Sequence, residues 1–265
     1  MKTGYPRKYP IPNRVDAQEI GVREMQPYHL RRKALTECDV HELLQSSVPS
    51  DFGLSCLTEL ESHVQPIGPQ RRGEHLYRAS QGAGEIFIVH SGCYKLYAYD
   101  RAGREYIHGF RLRGSLMGLH GLYGSTHQFN AIALTDSSVC RLSRHRITEL
   151  GKQMPDFFNM FLSMVGQELV SNIFLSGNFT AEERVACFLV SFSKKLCSSF
   201  DCAEPRLPMS RSDIAIYLRL TLPTVSRILS RLKQNGIINS DYHHIQIVDH
   251  ARMMDICKNV PLSEF

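Results

Sequence analysis

The stretch MSRSDIAIYLRLTLPTVSRILSRLKQNG occupies residues 209–236 and decides the fold of the C-terminal half. Ser210 and Asp213 have the spacing of a helix capping box, and Thr221 is a suitable N-cap for a second helix that ends near Gly236. Two helices joined by so short a turn are typical of a helix-turn-helix.

The residues that follow predict the wing of a winged helix-turn-helix. Ile237-Ile238 and Ile245–Val248 are short apolar runs, and Tyr242–His244 lies between them as the tip of a hairpin. Further upstream, TAEE at residues 180–183 has capping-box spacing and starts another helix. Helix, tight turn, helix and hairpin together predict a DNA-binding domain.

The position of the charges favours DNA binding more than their total does. The chain has 31 lysines and arginines against 26 aspartates and glutamates, and the net charge of +5 equals the excess within residues 1–35. Residues 211–233 combine five cations with one carboxylate, which places a local excess of +4 on the helix-turn-helix. A cationic face of this kind suits the phosphate backbone of double-stranded DNA.

Short alternating strands dominate the region between residues 65 and 147. EIFIVH at residues 85–90 and YKLYAY at residues 94–99 have strand character, and Ser91-Gly92 and Asp100–Gly103 are turn signals after them. Many short strands at this spacing predict a small antiparallel barrel or jelly roll of cupin type. The expected fold class is therefore α+β.

Pro155 opens a long helical stretch with an apolar stripe at spacings of three and four residues. Because further apolar residues widen this stripe, the helix needs two partners, of which the core supplies one. A second copy of the same helix is the natural candidate for the other, which predicts a homodimer. Burial of the helix inside one subunit is the alternative.

These patterns divide the chain into five regions. They are a flexible basic arm (residues 1–35), a β-roll sensor domain (36–150), a dimerisation helix (151–179), a winged helix-turn-helix (180–250) and a C-terminal tail (251–265). No apolar run is long enough to span a membrane, the first residues lack a secretory signal, and the eight cysteines include no Cys-x-x-Cys pair. We therefore expect a cytoplasmic protein with mostly free thiols.

Several motifs resemble those of the CRP/FNR family of bacterial transcription regulators, over roughly residues 40–250. The resemblance implies a cyclic-nucleotide-binding fold, a long dimerisation helix, two recognition helices in successive major grooves, and RNA polymerase as a partner. The VSR tripeptide is closer to the FNR branch than to the cAMP-binding branch. The matching motifs are SDIAIYL (212–218) and TLPTVSR (221–227) for the DNA-binding helices, GEIFIVHSG (84–92) for the β-roll, and AEER (181–184) for the start of the DNA-binding domain.

The resemblance also assigns DNA contacts. Arg227 corresponds to an arginine that reads guanine, since its forked donors suit O6 and N7 of that base. Pro223 replaces a glutamate and cannot accept a hydrogen bond from cytosine, so we expect a TTGAT-like palindrome with relaxed preference at that pair. Arg219 replaces a small residue and either contacts a phosphate or lies strained at the surface. The candidate contacts are Ser212, Thr221, Pro223, Thr224, Ser226, Arg227 and Arg231.

The residues that sense a signal are less well defined. The phosphate cradle of the cAMP-binding branch corresponds to Gly118-Leu119 and Phe129-Asn130, which lack its carboxylate and its arginine, so cAMP is not expected as the effector. The cluster-binding cysteines of the FNR branch correspond to Cys140 and, loosely, to Cys38 and His41. An iron–sulfur cluster on these residues, a redox switch of Cys38 or Cys140, and a structural role for Cys140 all stay open.

We expect a transcription activator that responds to oxygen or redox state, and not an enzyme, because no nucleophile–base pair, phosphate loop or paired carboxylates stand out. Two alternatives remain: a cupin-like metal- or small-ligand-binding enzyme whose helices mediate assembly, and a constitutive DNA-binding regulator without an effector. A cupin metal site would need His108, His120 and His127, but their spacing fits no ligand pattern well, and we expect them to be scattered over the surface.

Overall fold

The N-terminal lobe of the computed structural model consists of two antiparallel sheets; the structure describes residue 60 and residues 62–170, 177–199, 207–241 and 245–258. Its strands are β1 (Gln65–Gln70), β2 (His75–Tyr77), β3 (Glu85–Ser91), β4 (Tyr94–Tyr99), β5 (Glu105–Arg111), β6 (Leu116–Met117), β7 (Asn130–Ala133) and β8 (Ser137–Ser143). The first sheet has the order β1-β8-β3-β6 and the second the order β2-β7-β4-β5. The antiparallel roll is confirmed, whereas the predicted arm lies outside the described residues.

Strand β3 faces two separate cores. Because successive side chains of a strand point to opposite faces, its four consecutive apolar residues are all buried. Phe87 and Val89 belong to a cluster between the two sheets, and Ile86 and Ile88 to one between the first sheet and the helices behind it. The continuous apolar run in the sequence is explained by this two-sided burial.

The turn after β3 requires glycine at position 92. Gly92 has a φ of +82°, and a Cβ atom there would lie 2.0 Å from Ser137 Oγ. The next predicted turn is also present, since Asp100 Oδ1 accepts hydrogen bonds from the backbone N–H groups of Ala102 and Arg104. Both predicted turns are therefore confirmed, and the second joins the paired strands β4 and β5 as a hairpin.

Among the described residues, the lobe also contains the helices α1 (His120–Tyr123), α2 (Arg144–Gln153) and α3 (Pro155–Val170). The helix predicted to open at Pro155 begins there, whereas residues 151–153 of the predicted region 151–179 belong to α2. Met154 is extended (φ −133°, ψ 97°), because the ring of Pro155 disfavours a helical conformation in the residue before it. Residues 177–179 are not helical, and residues 171–176 lie outside the described residues.

The C-terminal lobe contains α4 (Ala181–Ser199), α5 (Arg211–Leu218), α6 (Leu222–Gln234), β9 (Ile238–Ser240), β10 (Ile245–Ile247) and α7 (His250–Cys257). Helix α5 begins with the predicted capping box, in which Ser210 Oγ accepts from Asp213 N and the Asp213 carboxylate accepts from Ser210 N, both at 3.0 Å. Strands β9 and β10 pair antiparallel as the predicted wing. Tyr242–His244, the predicted wing tip, lies outside the described residues.

The segment predicted as a tail begins instead with α7. Asp249 caps this helix by accepting a hydrogen bond from Arg252 N at 2.9 Å, and Met253 and Cys257 are fully buried. These two side chains, with the partly buried Ile256, anchor the helix, and so few apolar positions are too weak a periodicity to recognise in the sequence. Residues 259–265 lie outside the described residues.

One hydrophobic cluster extends through both lobes. Tyr97 and Ile107 of the second sheet belong to the same cluster as Phe188 of α4 and Tyr217 of α5. The helix-turn-helix is therefore packed against the roll. Among the helices that the structure describes, none has both the length and the apolarity needed to cross a membrane.

Candidate nucleic-acid interface

The first residues of helix α6 are suited to the exposed N-terminus of a helix. Thr221 Oγ1 accepts a hydrogen bond from Thr224 N at 3.3 Å, and the hydroxyls of the two threonines lie 2.8 Å apart. Pro223 occupies the first turn, where backbone N–H groups have no carbonyl partner within the helix, so proline loses no hydrogen bond there. The helix therefore tolerates Pro223 at the position for which the resemblance implies a glutamate.

Helix α6 buries one face and exposes the other. Its buried side chains are those predicted from the sequence, namely Val225, Ile228, Leu229 and Leu232. All seven candidate contacts reach the surface, with Thr224 and Ser226 half-buried and Ser212, Thr221, Pro223, Arg227 and Arg231 exposed. The exposed face thus combines hydroxyl and guanidinium groups, which are suited to base edges and phosphates.

The cations of this region differ in their partners. Arg231 Nη2 lies 2.6 Å from Glu182 Oε2 of α4, and the Lys233 ammonium donates to the backbone carbonyl of Ser240. Within the part of the chain that the structure describes, no carboxylate forms an ion pair with Arg227. The local charge of +4 therefore overstates the number of cations that face outward without a partner. Two of the cations contact α4 or the wing, and a count of charged residues does not show such contacts.

The turn between α5 and α6 holds a non-glycine residue in the left-handed region. Arg219 has φ 57° and ψ 41°, and its N–H donates to Ile216 O at 3.2 Å. This conformation crowds the Cβ atom against the backbone. Its side chain is exposed beside the start of α6.

Asp213 has a partner that the sequence does not reveal. Its Oδ1 atom lies 2.9 Å from Lys95 Nζ on strand β4, 118 positions earlier in the chain. Burial by itself raises the pKa of the Asp213 carboxyl, but hydrogen bonds from Ser210 and Lys95, together with the Lys95 charge, bring it below its ordinary value. Asp213 therefore remains ionised at neutral pH.

Cys140 lies in the interior of the roll. It lies in β8 between its register partners Ile88 and Pro66, is fully buried, and belongs to the apolar cluster under α3. Burial raises the pKa of its thiol to about 11, so the free thiol is protonated at neutral pH. These observations favour the structural role of Cys140. The other candidate ligands, Cys38 and His41, lie outside the described residues.

The positions that correspond to the cyclic-nucleotide cradle have structural roles. Asn130 Oδ1 accepts from Ala79 N at 3.1 Å, and its amide nitrogen donates to Tyr97 O at 3.2 Å. The Phe129 ring stacks on His108 with 4.5 Å between ring centroids. Neither residue offers a cation to a phosphate.

The prediction that the three histidines are scattered is wrong for two of them. His120 Nε2 lies 2.8 Å from His127 Nδ1, and the His127 ring, which is 5% exposed, stacks on Tyr77 at 3.8 Å. Burial, followed by the neighbouring His120, lowers the pKa of His127 to about 4. In the described segments, no group of three potential ligands could hold a metal ion. A hydrogen bond from the start of α1 to the loop after it follows no helix or strand periodicity, so residue spacing does not predict it.

Both lobes match known protein families. A model of the Crp-like helix-turn-helix domain matches residues 183–256, and a model of the cyclic nucleotide-binding domain matches residues 70–154. The transcriptional activator protein anr of Pseudomonas aeruginosa is 32% identical over 241 residues, which cover 89% of this chain and 96% of that protein. Electron transport regulator A of Shewanella oneidensis is 30% identical, with 88% and 96% covered.

A solved structure supports the same assignment. FixK2 from Bradyrhizobium japonicum matches with a TM-score of 0.65 and 31% identity, covering 73% of this chain and 96% of that chain. The matched relatives have the names of transcription regulators, which favours the regulator over the cupin-like enzyme. From its roll, its helix-turn-helix and these relatives, the chain belongs to the CRP/FNR family of transcription regulators.

Proposed function

We propose that two copies of this chain bind a TTGAT-like palindrome in the cytoplasm and activate transcription, through contact with RNA polymerase, in response to oxygen or redox state. The observation that carries the proposal is the exposed face of α6, on which Arg227 and the hydroxyls of its first turn lie together. A helix with such a face, preceded by a tight turn, fits the major groove of B-DNA.

The shape of α3 supports the dimer. Phe157, Met160 and Met164 are buried against the roll, whereas the opposite side of the helix carries exposed apolar residues. Phe158 is 49%, Leu162 50% and Leu169 79% exposed. Their spacings of four and seven residues correspond to one seam of a coiled coil, and a second copy of the helix would cover it.

The reading of DNA is proposed to depend on Arg227 and to be relaxed by Pro223. Arg227 would donate two hydrogen bonds to O6 and N7 of a guanine, a contact that discriminates by about 1–3 kcal/mol. Pro223 has no acceptor in its side chain, so the base pair that a glutamate would read is expected to vary. Selection of binding sites from a random pool tests this, and full stringency at that pair would contradict it.

The response to oxygen or redox state is proposed from the relatives. Their names include anaerobic regulatory protein, in Haemophilus influenzae, and electron transport regulator A, in Shewanella oneidensis. Because Cys140 is buried and Cys38 and His41 lie outside the described residues, the candidate routes of the signal are a cluster or a redox switch on these residues, other residues of the roll or, lastly, the abundance of the chain. The latter amounts to the constitutive alternative, which the exposed reading face also supports. A promoter fusion, compared with and without oxygen at fixed protein level, distinguishes the two.

Arg227→Ala tests DNA binding directly. On a labelled TTGAT palindrome, fluorescence anisotropy is expected to show a loss of about tenfold or more in affinity, with an unchanged dimer in sedimentation, because the side chain is exposed. Arg146→Ala is the matched control, since this arginine is exposed on α2, away from the helix-turn-helix. If Arg227→Ala binds the palindrome as tightly as Arg146→Ala does, or if Arg146→Ala does not prefer the palindrome to a scrambled duplex, sequence-specific binding through Arg227 is contradicted.

A further inference from the structure

A polar contact joins the roll to the first helix of the helix-turn-helix. Lys95 Nζ lies 2.9 Å from Asp213 Oδ1 and also 2.9 Å from Glu105 Oε1. The side chains of Lys95 and Asp213 are 14% and 17% exposed, so water screens this pair much less than a surface pair. One cation thus holds two carboxylates, one from each lobe.

Aromatic packing surrounds this contact. The Phe110 ring of β5 meets Tyr217 of α5 edge to face, with 5.3 Å between ring centroids, and also approaches Phe188 and Phe192 of α4. Tyr217 is 7% exposed. We refer to Lys95, Glu105, Phe110, Asp213 and Tyr217 as the lobe interface. Edge-to-face pairs are directional, so this interface favours one orientation of α5 on the sheet.

Asp213 uses its two oxygens for different partners. Oδ2 accepts from Ser210 N at 3.0 Å and from Ser210 Oγ at 2.7 Å, which closes the cap of α5, while Oδ1 accepts from Lys95. The first turn of α5 is therefore attached to strand β4 through a single carboxylate.

The lobe interface leaves the DNA-reading face uncovered. Ser212 and Arg227 are exposed, whereas Asp213 and Tyr217 face the sheet. Because α5 and α6 pack through a common core, an orientation imposed on α5 is passed on to α6. The contact therefore orients the reading helix without blocking it.

We propose that Lys95 is a positioning residue for DNA binding, which acts through Asp213 to hold the helix-turn-helix in its reading orientation on the N-terminal lobe. The inference rests on the proposed function. It makes strands β4 and β5 the route by which a change in the roll alters DNA affinity. If the helix-turn-helix samples several orientations, its affinity for DNA is reduced to the fraction of time that it spends in the orientation that can bind.

Lys95→Met tests the inference without touching the cap or the reading face. It leaves the Glu105 and Asp213 carboxylates together with no cation between them, and their repulsion separates the lobes. We expect the Kd for the TTGAT palindrome to rise roughly tenfold. Arg104→Met is the matched control, because it removes an ion pair with Asp100 from the exposed tip of the same hairpin and should leave the Kd unchanged.

A double-mutant cycle with Asp213→Asn separates positioning from general destabilisation. Asparagine keeps an oxygen for the Ser210 N–H but loses the charge that Lys95 binds. If Lys95 acts through Asp213, Lys95→Met has no further effect on the Kd in the Asp213→Asn background. Lys95→Arg should restore affinity to within about twofold of wild type, and the salt dependence of binding should be the same in all variants, since no phosphate contact changes.

Wild-type affinity of the Lys95→Met variant would overturn the inference, as would effects of the two single substitutions that multiply in the double variant. If Lys95→Met does not fold, Asp213→Asn alone must raise the Kd, and a normal Kd there overturns the inference as well. If wild type binds the palindrome no better than a scrambled duplex, the proposed function fails and this inference fails with it. Specific binding by wild type, together with an unaffected Lys95→Met, refutes the positioning role alone.

Discussion

Arg219 gives a test in which stability and DNA binding change in opposite directions. A left-handed backbone costs a non-glycine residue about 1–2 kcal/mol, and Arg219 has φ 57° and ψ 41°. Glycine avoids this strain but loses about 0.5–1 kcal/mol through its extra freedom in the unfolded chain. Arg219→Gly is therefore expected to raise the free energy of unfolding by about 0.5–1 kcal/mol, or the Tm by about 1–3 °C for a chain of this size.

Arg219→Ala is the matched control for this measurement. Alanine removes the guanidinium group but keeps the Cβ atom, so the strain remains and no stabilisation is expected. Both variants should be melted at one protein concentration, because the stability of a dimer depends on concentration. Equal stability of the glycine and alanine variants, or a less stable glycine variant, would refute the argument from the left-handed turn.

The same two variants report on DNA contact. If the exposed guanidinium neutralises a phosphate, both lose affinity, and the slope of log K against log salt falls by about 0.9 for each subunit. We expect this result for both substitutions. An unchanged slope would show that Arg219 has a strained backbone but does not contact a phosphate.

Two further outcomes are expected. Because burial lowers the pKa of His127 to about 4 from an ordinary 6.5, only the unfolded chain binds this proton between those values, so the free energy of unfolding should fall by about 1–2 kcal/mol from pH 7 to pH 5. Urea titrations at both pH values should show that the free energy of unfolding falls less for His127→Gln than for wild type, whereas the exposed control His145→Gln should behave as wild type. If the fall is the same for the two variants, the assignment to His127 is contradicted. Leu162→Glu should shift the dimer towards monomer in sedimentation, since it places a charge on the exposed apolar face of α3, whereas Ser163→Glu on the same helix should not; a Leu162→Glu dimer as tight as wild type would argue against pairing through this face.

Local rules explain what could be predicted from the sequence. The caps at Ser210 and Thr221 depend on contacts three residues away, so residue spacing alone locates the starts of α5 and α6. The same holds for Gly92, whose turn lies between two strands with clear apolar patterns. The recognition helix, its buried side and its exposed candidate contacts follow from such local rules.

Long-range contacts explain what could not be predicted. The bonds of Lys95 to Asp213 and of Arg231 to Glu182 join residues that are far apart in the chain and individually look like ordinary surface charges. The pair His120 and His127 is closer in the chain, only seven residues apart, but it joins the start of α1 to the loop after that helix, and no helix or strand periodicity predicts such a contact. The break at Met154 is different, because Pro155 marks it in the sequence; what the sequence did not show is that residues 151–153 belong to the preceding helix α2.

The hydrophobic cluster that runs from Tyr97 and Ile107 into α4 and α5 has a consequence for how such regulators diverge. A helix-turn-helix that is exchanged between relatives carries with it one half of a packed interior, and the recipient roll must supply the other half. Chimeric regulators built by joining two sequences near residue 180 should therefore bind DNA only when strands β4 and β5 come from the same parent as the helix-turn-helix. Evolution of a new target site and evolution of the roll are, in this chain, constrained to proceed together.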